Sequence, residues 1–412
     1  TDMQNRVVIK GDIYTEYNDE IEGVEVGIGI PDLEAMTSED GEYAFVSMPL
    51  GGSYQVVPRK DDEHLNGIST LDLILIQRHI LGVEWLDSPY KMIAADVNGN
   101  QDISSVDLIE LRKLILGVYN ELPQNDAWRF IDAEYTFIDP LNPWIHSIPE
   151  DYLISDLNSD MDIDFIGVKV GDVNGSVVAN SNDANIEDRN SDALKLTINE
   201  NWIEAGDITT IKISADNYTD ILGWQTAIRY DLEKMNVLEV MAPFENWSDR
   251  NYHINSEEGI ITISYHAFEA STLDNTEAMV EILVESKESL NATKVLHLDQ
   301  ATMNLEAYNS NAQVLPIELG NSTEVYDELK IIGAQPNPFV EQTDITIKVP
   351  ADGSALWQYY DVNGRLLYQT SAFYTKGTHT QRVARSELNA SGMVYVNLLM
   401  HNKSIQYRLI LI

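Results

Sequence analysis

The chain has 412 residues, and its 67 acidic against 26 basic side chains give a formal net charge of -41. That length suits about three or four domains, and the charge repels nucleic acid and anionic lipid while attracting divalent cations. The absence of cysteine excludes disulfide staples and thiol catalysis, so the domains must be held by apolar cores and by ions. No apolar run approaches the length of a membrane span. Thr1 does not open a signal peptide, so a mature product or the C-terminal part of a longer precursor is expected.

Residues 1–58 alternate with period two at Val7 and Ile9, Val24 and Val26, Tyr43 and Phe45, and Tyr54 and Val56, with glycines between the runs. This predicts a small antiparallel β-sandwich. The segments Gly23-Val24-Glu25-Val26, Thr37 to Phe45 and Leu50-Gly51-Gly52-Ser53-Tyr54 resemble a carboxypeptidase regulatory-like or Cna-B-type domain. That resemblance implies a stalk module without catalytic residues.

Residues 59–178 carry the most specific pattern. Asp96, Asn98, Asn100 and Asp107 place oxygen-bearing side chains at loop positions 1, 3, 5 and 12, with Asp102 offering its backbone carbonyl, and the loop runs into a helical repeat ending at Gly117. A hard cation such as calcium takes six to eight oxygens in such a loop. Gln101 stands at position six, where the backbone turns sharply and glycine is expected. Residues 69–82 align without gaps on 104–117 and match at Ser69, Asp72, Leu73, Ile74, Ile80, Leu81 and Gly82. Each copy reads as a Ser-capped helix with a glycine stop. The paired units resemble a type I dockerin, a calcium-dependent module that docks onto cohesins. The upstream loop has Asp61, Glu63 and Leu65 at its ligand positions, so its ion site is lost or completed from elsewhere. Oxygen donors for a second site are Asp72 with Asp156, Asn158 and Asp160, whose loop lacks a closing residue because position 12 is Gly167, and with Asp172 and Asn174.

Residues 179–193 are polar and read as a linker. Residues 194–319 return to alternating strands, and Gly223 to Asp231 followed by Val237-Leu238-Glu239-Val240 resembles the opening strands of a cohesin-like sandwich. Trp224 is expected in its core. A second junction, 320–328, precedes residues 329–412. There Pro336-Asn337-Pro338-Phe339, an Asn-Gly hairpin at Asp361 to Arg365, and the closing Tyr407 to Ile412 resemble the type A C-terminal sorting domain of Bacteroidetes type IX secretion cargo. This resemblance implies the type IX secretion machinery as a partner and an extracellular, cell-surface location.

No His-Glu-x-x-His, Gly-x-Ser-x-Gly or phosphate-cradling loop occurs. His79 in a helical pattern and His266 after a strand read as structural histidines. The expected fold is mainly β, a multidomain string of immunoglobulin-like sandwiches with one small α-helical calcium-binding module. The expected function is a non-catalytic structural or adhesive region of a large secreted surface protein. The alternatives are a scaffold working through dockerin–cohesin contacts and an accessory tail of an upstream enzyme. The two binding modules also raise homo-oligomer formation or contact with other cohesin- or dockerin-bearing surface proteins. A linker of this length spans about 20–23 Å as a coil, so docking within one chain is confined to faces near the junction, and docking between chains propagates as a ring or filament.

Overall fold

The structure, a computed structural model, describes residues 6–180, 193–198, 202–274, 277–319, 329–349, 352–362, 364–400 and 403–412. The fold is mainly β, with several sandwiches and one helical layer. The junction 320–328 lies outside the described residues, as do most of the linker 179–193 and Asn363 of the hairpin.

The first unit contains β1 (Arg6–Tyr14), β2 (Glu25–Gly27), β3 (Glu34–Met36), β4 (Glu42–Pro49) and β5 (Tyr54–Arg59). After the helices come β6 (Trp128–Asp132), β7 (Tyr152–Ile154), β8 (Met161–Asp162) and β9 (Phe165–Lys169). One sheet runs β4-β1-β9-β6 with β8 also on β1, and the other runs β3-β2-β5-β7. The expected boundary at residue 58 is therefore corrected. The sandwich is closed by strands that follow the helices: β8 and β9 pair parallel to β1, and β7 pairs antiparallel to β5. Its core joins Ile9, Ile13 and Phe45 to Trp128, Phe130, Leu157 and Phe165. The linker also begins later than expected, because the Glu22 amide donates to the Ala179 carbonyl (3.1 Å) and the Asn180 side chain donates to the Glu20 carbonyl (3.0 Å).

Inserted in this unit are α1 (Thr70–Ile80), α2 (Pro89–Ala95) and α3 (Ser105–Ile115). Ser69 and Ser104 each close a capping box with the acid three residues on, Asp72 and Asp107, which satisfies amides that a helix leaves unpaired at its start. Gly82 and Gly117 follow the two helices with φ +66° and +70°, the left-handed conformation that ends a helix. Apolar faces of the three helices pack together through Leu73, Ile76, Ile93, Leu111 and Leu114, and onto the sheet through Ile131 and Val168.

The second unit holds β10 (Leu194–Ile198), β11 (Trp202–Ile203), β12 (Ile208–Ala215), β13 (Ile221–Tyr230), β14 (Met235–Met241), β15 (Tyr252–Asn255), β16 (Ile260–Ser271), β17 (Ala278–Ser286), β18 (Leu290–Asn291), β19 (Leu296–Leu298), β20 (Glu306–Asn309) and β21 (Val314–Leu319). A continuous hydrogen-bonded path, β14-β17-β12-β10-β21-β20-β13-β16-β15, wraps a separate core. Trp224 is fully buried in it, packed with Phe244, Trp247 and Tyr265.

The third unit has its own core around Trp357, Tyr359 and Phe339. It contains β22 (Lys330–Gln335), β23 (Gln342–Val349), β24 (Gly353–Tyr360), β25 (Leu366–Tyr374), β26 (Gly377–Ala384), β27 (Gly392–Met400) and β28 (Lys403–Leu411). The sheets β22-β23-β26 and β25-β24-β27-β28 face each other. Phe339 is tied to the end of the chain, donating its amide to the Ile410 carbonyl (2.9 Å) and accepting from Ile412 (3.0 Å).

The insertion of the later strands against β1 can be tested at Gly11, where an added Cβ would lie 1.8 Å from the Ile163 carbonyl oxygen. Backbone cannot yield as a side chain does, so Gly11→Ala is expected to cost more than about 2 kcal/mol, at the upper end of overpacking effects. Denaturant unfolding of the full chain measures it, and an unchanged midpoint would remove β8 from its place beside β1.

Candidate functional site

The loop from Asp96 to Asp107 wraps its acceptors around its own amides. Asp96 ends α2 and is fully buried. Its Oδ1 accepts from the Asn100 amide (2.9 Å) and its Oδ2 from Gln101 (2.8 Å). Asn98 Oδ1 accepts from Asn100 (3.0 Å), and Asn100 Oδ1 accepts from Asp102 (2.9 Å). Asp107, also fully buried, caps α3 through the Ser104 amide (2.9 Å) and turns Oδ1 to the Asn98 amide (3.2 Å). The structure thus places all five expected residues in one loop at the head of α3. Gln101 takes φ +69°, the conformation for which glycine suits that position.

A second loop reaches the head of α1 from the far end of the unit. Asp172 accepts from Gly175 (2.8 Å) and Ser176 (3.2 Å) on Oδ1 and from Val177 (2.8 Å) on Oδ2. Asn174 accepts from Ser176 (2.8 Å). Asp72 caps α1 through the Ser69 amide (2.9 Å) and gives Oδ1 to the Val173 amide (2.9 Å). The two heads are built alike: a cap carboxylate uses one oxygen on its own helix and the other on a loop that begins Asp-Val-Asn-Gly. The loop also presses on the segment before α1, where a Cβ on Gly67 would sit 2.6 Å from Val177 Cα. Asp72, Asp172 and Asn174 are therefore brought together. The repeated tetrapeptide, 96–99 and 172–175, was the sequence signal for this pairing.

Asp156, Asn158 and Asp160 are not part of that group, and their inclusion in a second site is corrected. They are exposed in a turn held against the first sandwich, with Asp160 accepting from the Val8 amide (2.8 Å) and Leu157 exchanging backbone bonds with Gly51 and Gly52. Asp61, from the upstream loop, accepts from the Ala127 amide (2.8 Å).

The charges at the two heads are costly. Burial raises the Asp96 carboxyl above its ordinary value, and the nearby Asp107 charge adds to the effect. Burial and then the Asp172 charge raise Asp72 well above the usual range, and burial raises Asp172. Among the described residues none of the four carboxylates forms an ion pair. The buried Lys169 ammonium acts on Asp172 from a distance while donating to the His64 carbonyl (3.0 Å), and burial lowers its pKa to about 8. No three acidic, histidine or cysteine side chains converge among the described residues. The donor set at each head is two carboxylates with amide oxygens. A carboxylate has about four acceptor sites, so Asp96 and Asp107 keep capacity for a cation.

The helical layer also meets the second unit. The first amide of α1, at Thr70, donates to Gln225 Oε1 (2.6 Å), and Thr70 Oγ1 bonds Ser264 Oγ (2.7 Å). Leu71 and Ile74 form a small apolar cluster with Leu222 and Tyr308. At the end of α3, Thr262 Oγ1 donates to the Leu116 carbonyl (2.6 Å), and Arg112 Nη2 lies 2.9 Å from His266 Nδ1. Burial, followed by the Arg112 charge, lowers the His266 pKa to about 3, so the ring is a neutral acceptor for the guanidinium. His79 is likewise structural, its Nδ1 accepting from the Leu86 amide (3.1 Å).

No protein-family model matches the chain, and no curated protein matches it. Among solved structures, parts of the chain are similar to cohesin modules. A type I cohesin–dockerin complex, Coh-OlpA-Doc918 from Clostridium thermocellum, matches at 18% identity, covering 31% of this chain and 94% of that one, with a TM-score of 0.27. The type II cohesin dyad of the adaptor ScaA scaffoldin from Acetivibrio cellulolyticus matches at 11% identity over 54% and 97% of the two chains, with a TM-score of 0.25. The cohesin module of a family 33 glycoside hydrolase from Clostridium perfringens matches at 13% identity over 32% and 93%, with a TM-score of 0.24.

Two outcomes follow from the loops. The folded carboxyls of Asp72, Asp96 and Asp172 hold protons more tightly than their ordinary value of 3.8. The contribution of these three groups to the stability of the ion-free chain then falls as pH rises from that value through the raised folded ones. Urea midpoints in chelator across that window measure the fall, and Asp72→Asn should flatten it; an unaltered slope would count against Asp72 as a source. Separately, Gln101→Gly relieves the left-handed residue and should add about 0.5–1 kcal/mol, read from the same unfolding curves.

Proposed function

We propose that this chain is a non-catalytic, calcium-stabilised structural or adhesive region of a large secreted surface protein. In this reading one ion is held by the side chains of Asp96, Asn98, Asn100 and Asp107 with the Asp102 carbonyl. A second is held by Asp72, Asp172 and Asn174. The observation that carries the reading is the pair of buried carboxylates at each helix head, none of them in a direct ion pair among the described residues, since burying such charge is unfavourable even when amides bond to it and hard oxygen donors select calcium.

The remaining reactive groups support a structural role. Arg112 and His266 are spent on each other across two units, and Lys169 and His79 on main-chain groups. The first and second units are fastened through α1 and α3, and a rigid stalk requires such contact. The helical layer is the dockerin-like module, and residues 194–319 are its cohesin-like counterpart. Residues 329–412, with their separate core, are the type IX export signal that brings the protein to the cell surface.

Ion binding to the folded state raises its stability by about 2.7 kcal/mol per site when calcium is at a hundredfold its Kd. The thermal midpoint of the full chain should rise with calcium and fall with chelator. Asp96→Asn with Asp107→Asn should remove part of the rise, and Asp172→Asn the rest. An identical midpoint in calcium and chelator would overturn the reading.

A further inference from the structure

The contact between the helical layer and the second unit has the composition of a recognition surface. Thr70, Ser264, Gln225 and Thr262 are buried or nearly so, and each is satisfied across the boundary or, for the Gln225 amide, by the Asn304 carbonyl (3.1 Å). Inter-domain contacts resemble the interfaces of separable proteins in mixing polar bonds with a small apolar centre. Here the apolar centre is Leu71, Ile74, Leu222 and Tyr308. None of these four belongs to the core of the helical layer or to that of the second sandwich. They pack on one another across the boundary between the two units.

The sheet is shaped for a helix end. Gln225 accepts the Thr70 amide, one of the amides that a helix cannot satisfy internally. Gly223 leaves room for the helix, since a Cβ there would stand 3.0 Å from Ile74 Cδ1. Further along, Arg78 donates to the Ser310 carbonyl (2.8 Å), so contact runs the length of α1.

We propose that the β13–β16 face of the second sandwich is a receptor for a capped amphipathic helix and that α1 of the same chain occupies it, closing the face to helical partners supplied by other molecules. This deepens the structural reading without resting on calcium. Tethering gives α1 an effective concentration in the millimolar range. A competing helix must exceed that concentration, or α1 must first be displaced. The chain is thereby kept from linking to its own copies.

The test uses the full chain with a protease site replacing residues 184–189, in calcium. After cleavage the two pieces should stay together in light scattering at about micromolar concentration, and the uncleaved chain should be monomeric. Ile74→Arg and, from the other side, Leu222→Arg should weaken the association of the cleaved pieces at least about a hundredfold, while each piece keeps its own thermal transition because neither residue lies in its core. Labelled residues 6–180, which carry complete cores of their own, should bind the uncleaved Ile74→Arg chain at least about a hundredfold more tightly than the uncleaved wild type. Separation of the wild-type pieces, equal binding to both uncleaved chains, or subunit exchange between uncleaved copies would each overturn the proposal. Loss of calcium binding alone would show in the thermal midpoint and leave these comparisons intact.

Discussion

Asp72 is the side chain on which the arrangement of the first two units turns. It is fully buried. One oxygen caps α1 through Ser69, and the other receives the Val173 amide from the opposite end of the unit. Its charge is also felt by Tyr308, a buried side chain of the second sandwich. A single carboxylate thus fixes the start of α1, anchors the returning chain and borders the interface. Removing it would leave the Ser69 and Val173 amides without that acceptor, and unsatisfied buried donors cost about 1–3 kcal/mol each. The same burial disfavours its ionised form, so the position that organises the fold also carries an electrostatic penalty.

The two helix heads answer that penalty differently. Lys169 sits within electrostatic reach of Asp172, and its ammonium offsets part of the charge there at the cost of its own desolvation. At the other head burial acts first on Asp96, and the charges it feels are those of Asp107 and Arg129, while Arg129 is paired with Glu150. A divalent ion entering the first head would meet a cation already in place; entering the second, it would meet uncompensated carboxylates. The sign of this difference separates two loops that share a tetrapeptide. The backbone acts in the opposite sense, because Gln101 holds a left-handed conformation in the loop with the stronger charge demand.

What could be read from the sequence was local. The Ser-capped helices, their glycine stops and the loop at 96–107 rest on residues within a few positions of each other, and the structure places them as their spacing requires. Trp224 followed from the tendency of large aromatic side chains to fill the interior of a sandwich, and the long strand that carries it is buried on nearly every residue. The boundary at 58 was misplaced because the strands that close the first sandwich are short, β7 with 3 residues and β8 with 2, too few to show a period. Their partners lie far away in sequence, as when Tyr43 donates to the Ile163 carbonyl. Asp156, Asn158 and Asp160 misled for a related reason: the 1, 3, 5 spacing of acids is equally the chemistry of an exposed turn, and only Asp172 had a buried helix cap to meet. The interface was hidden because Gln225 on β13 and Thr262 and Ser264 on β16 are polar residues of the kind that ordinarily face water from a strand.

That polar character explains why the contact joins two units without merging them. An apolar face of the same size would have to be covered at all times, and in an unlocked chain it would be an exposed patch prone to association. Gln225 and Ser264, which meet α1, and Thr262 and His266, which meet the end of α3, can be hydrated when the helical layer is undocked. The docked state then depends on satisfying several hydrogen bonds at once together with the small cluster around Ile74. Such bonds contribute only about 0.5–1.5 kcal/mol each after exchange with water, and a mispaired helix would bury Gln225 or Arg112 without a partner. Selectivity therefore comes from the cost of wrong pairing, while the tether supplies the concentration that makes modest net contacts sufficient.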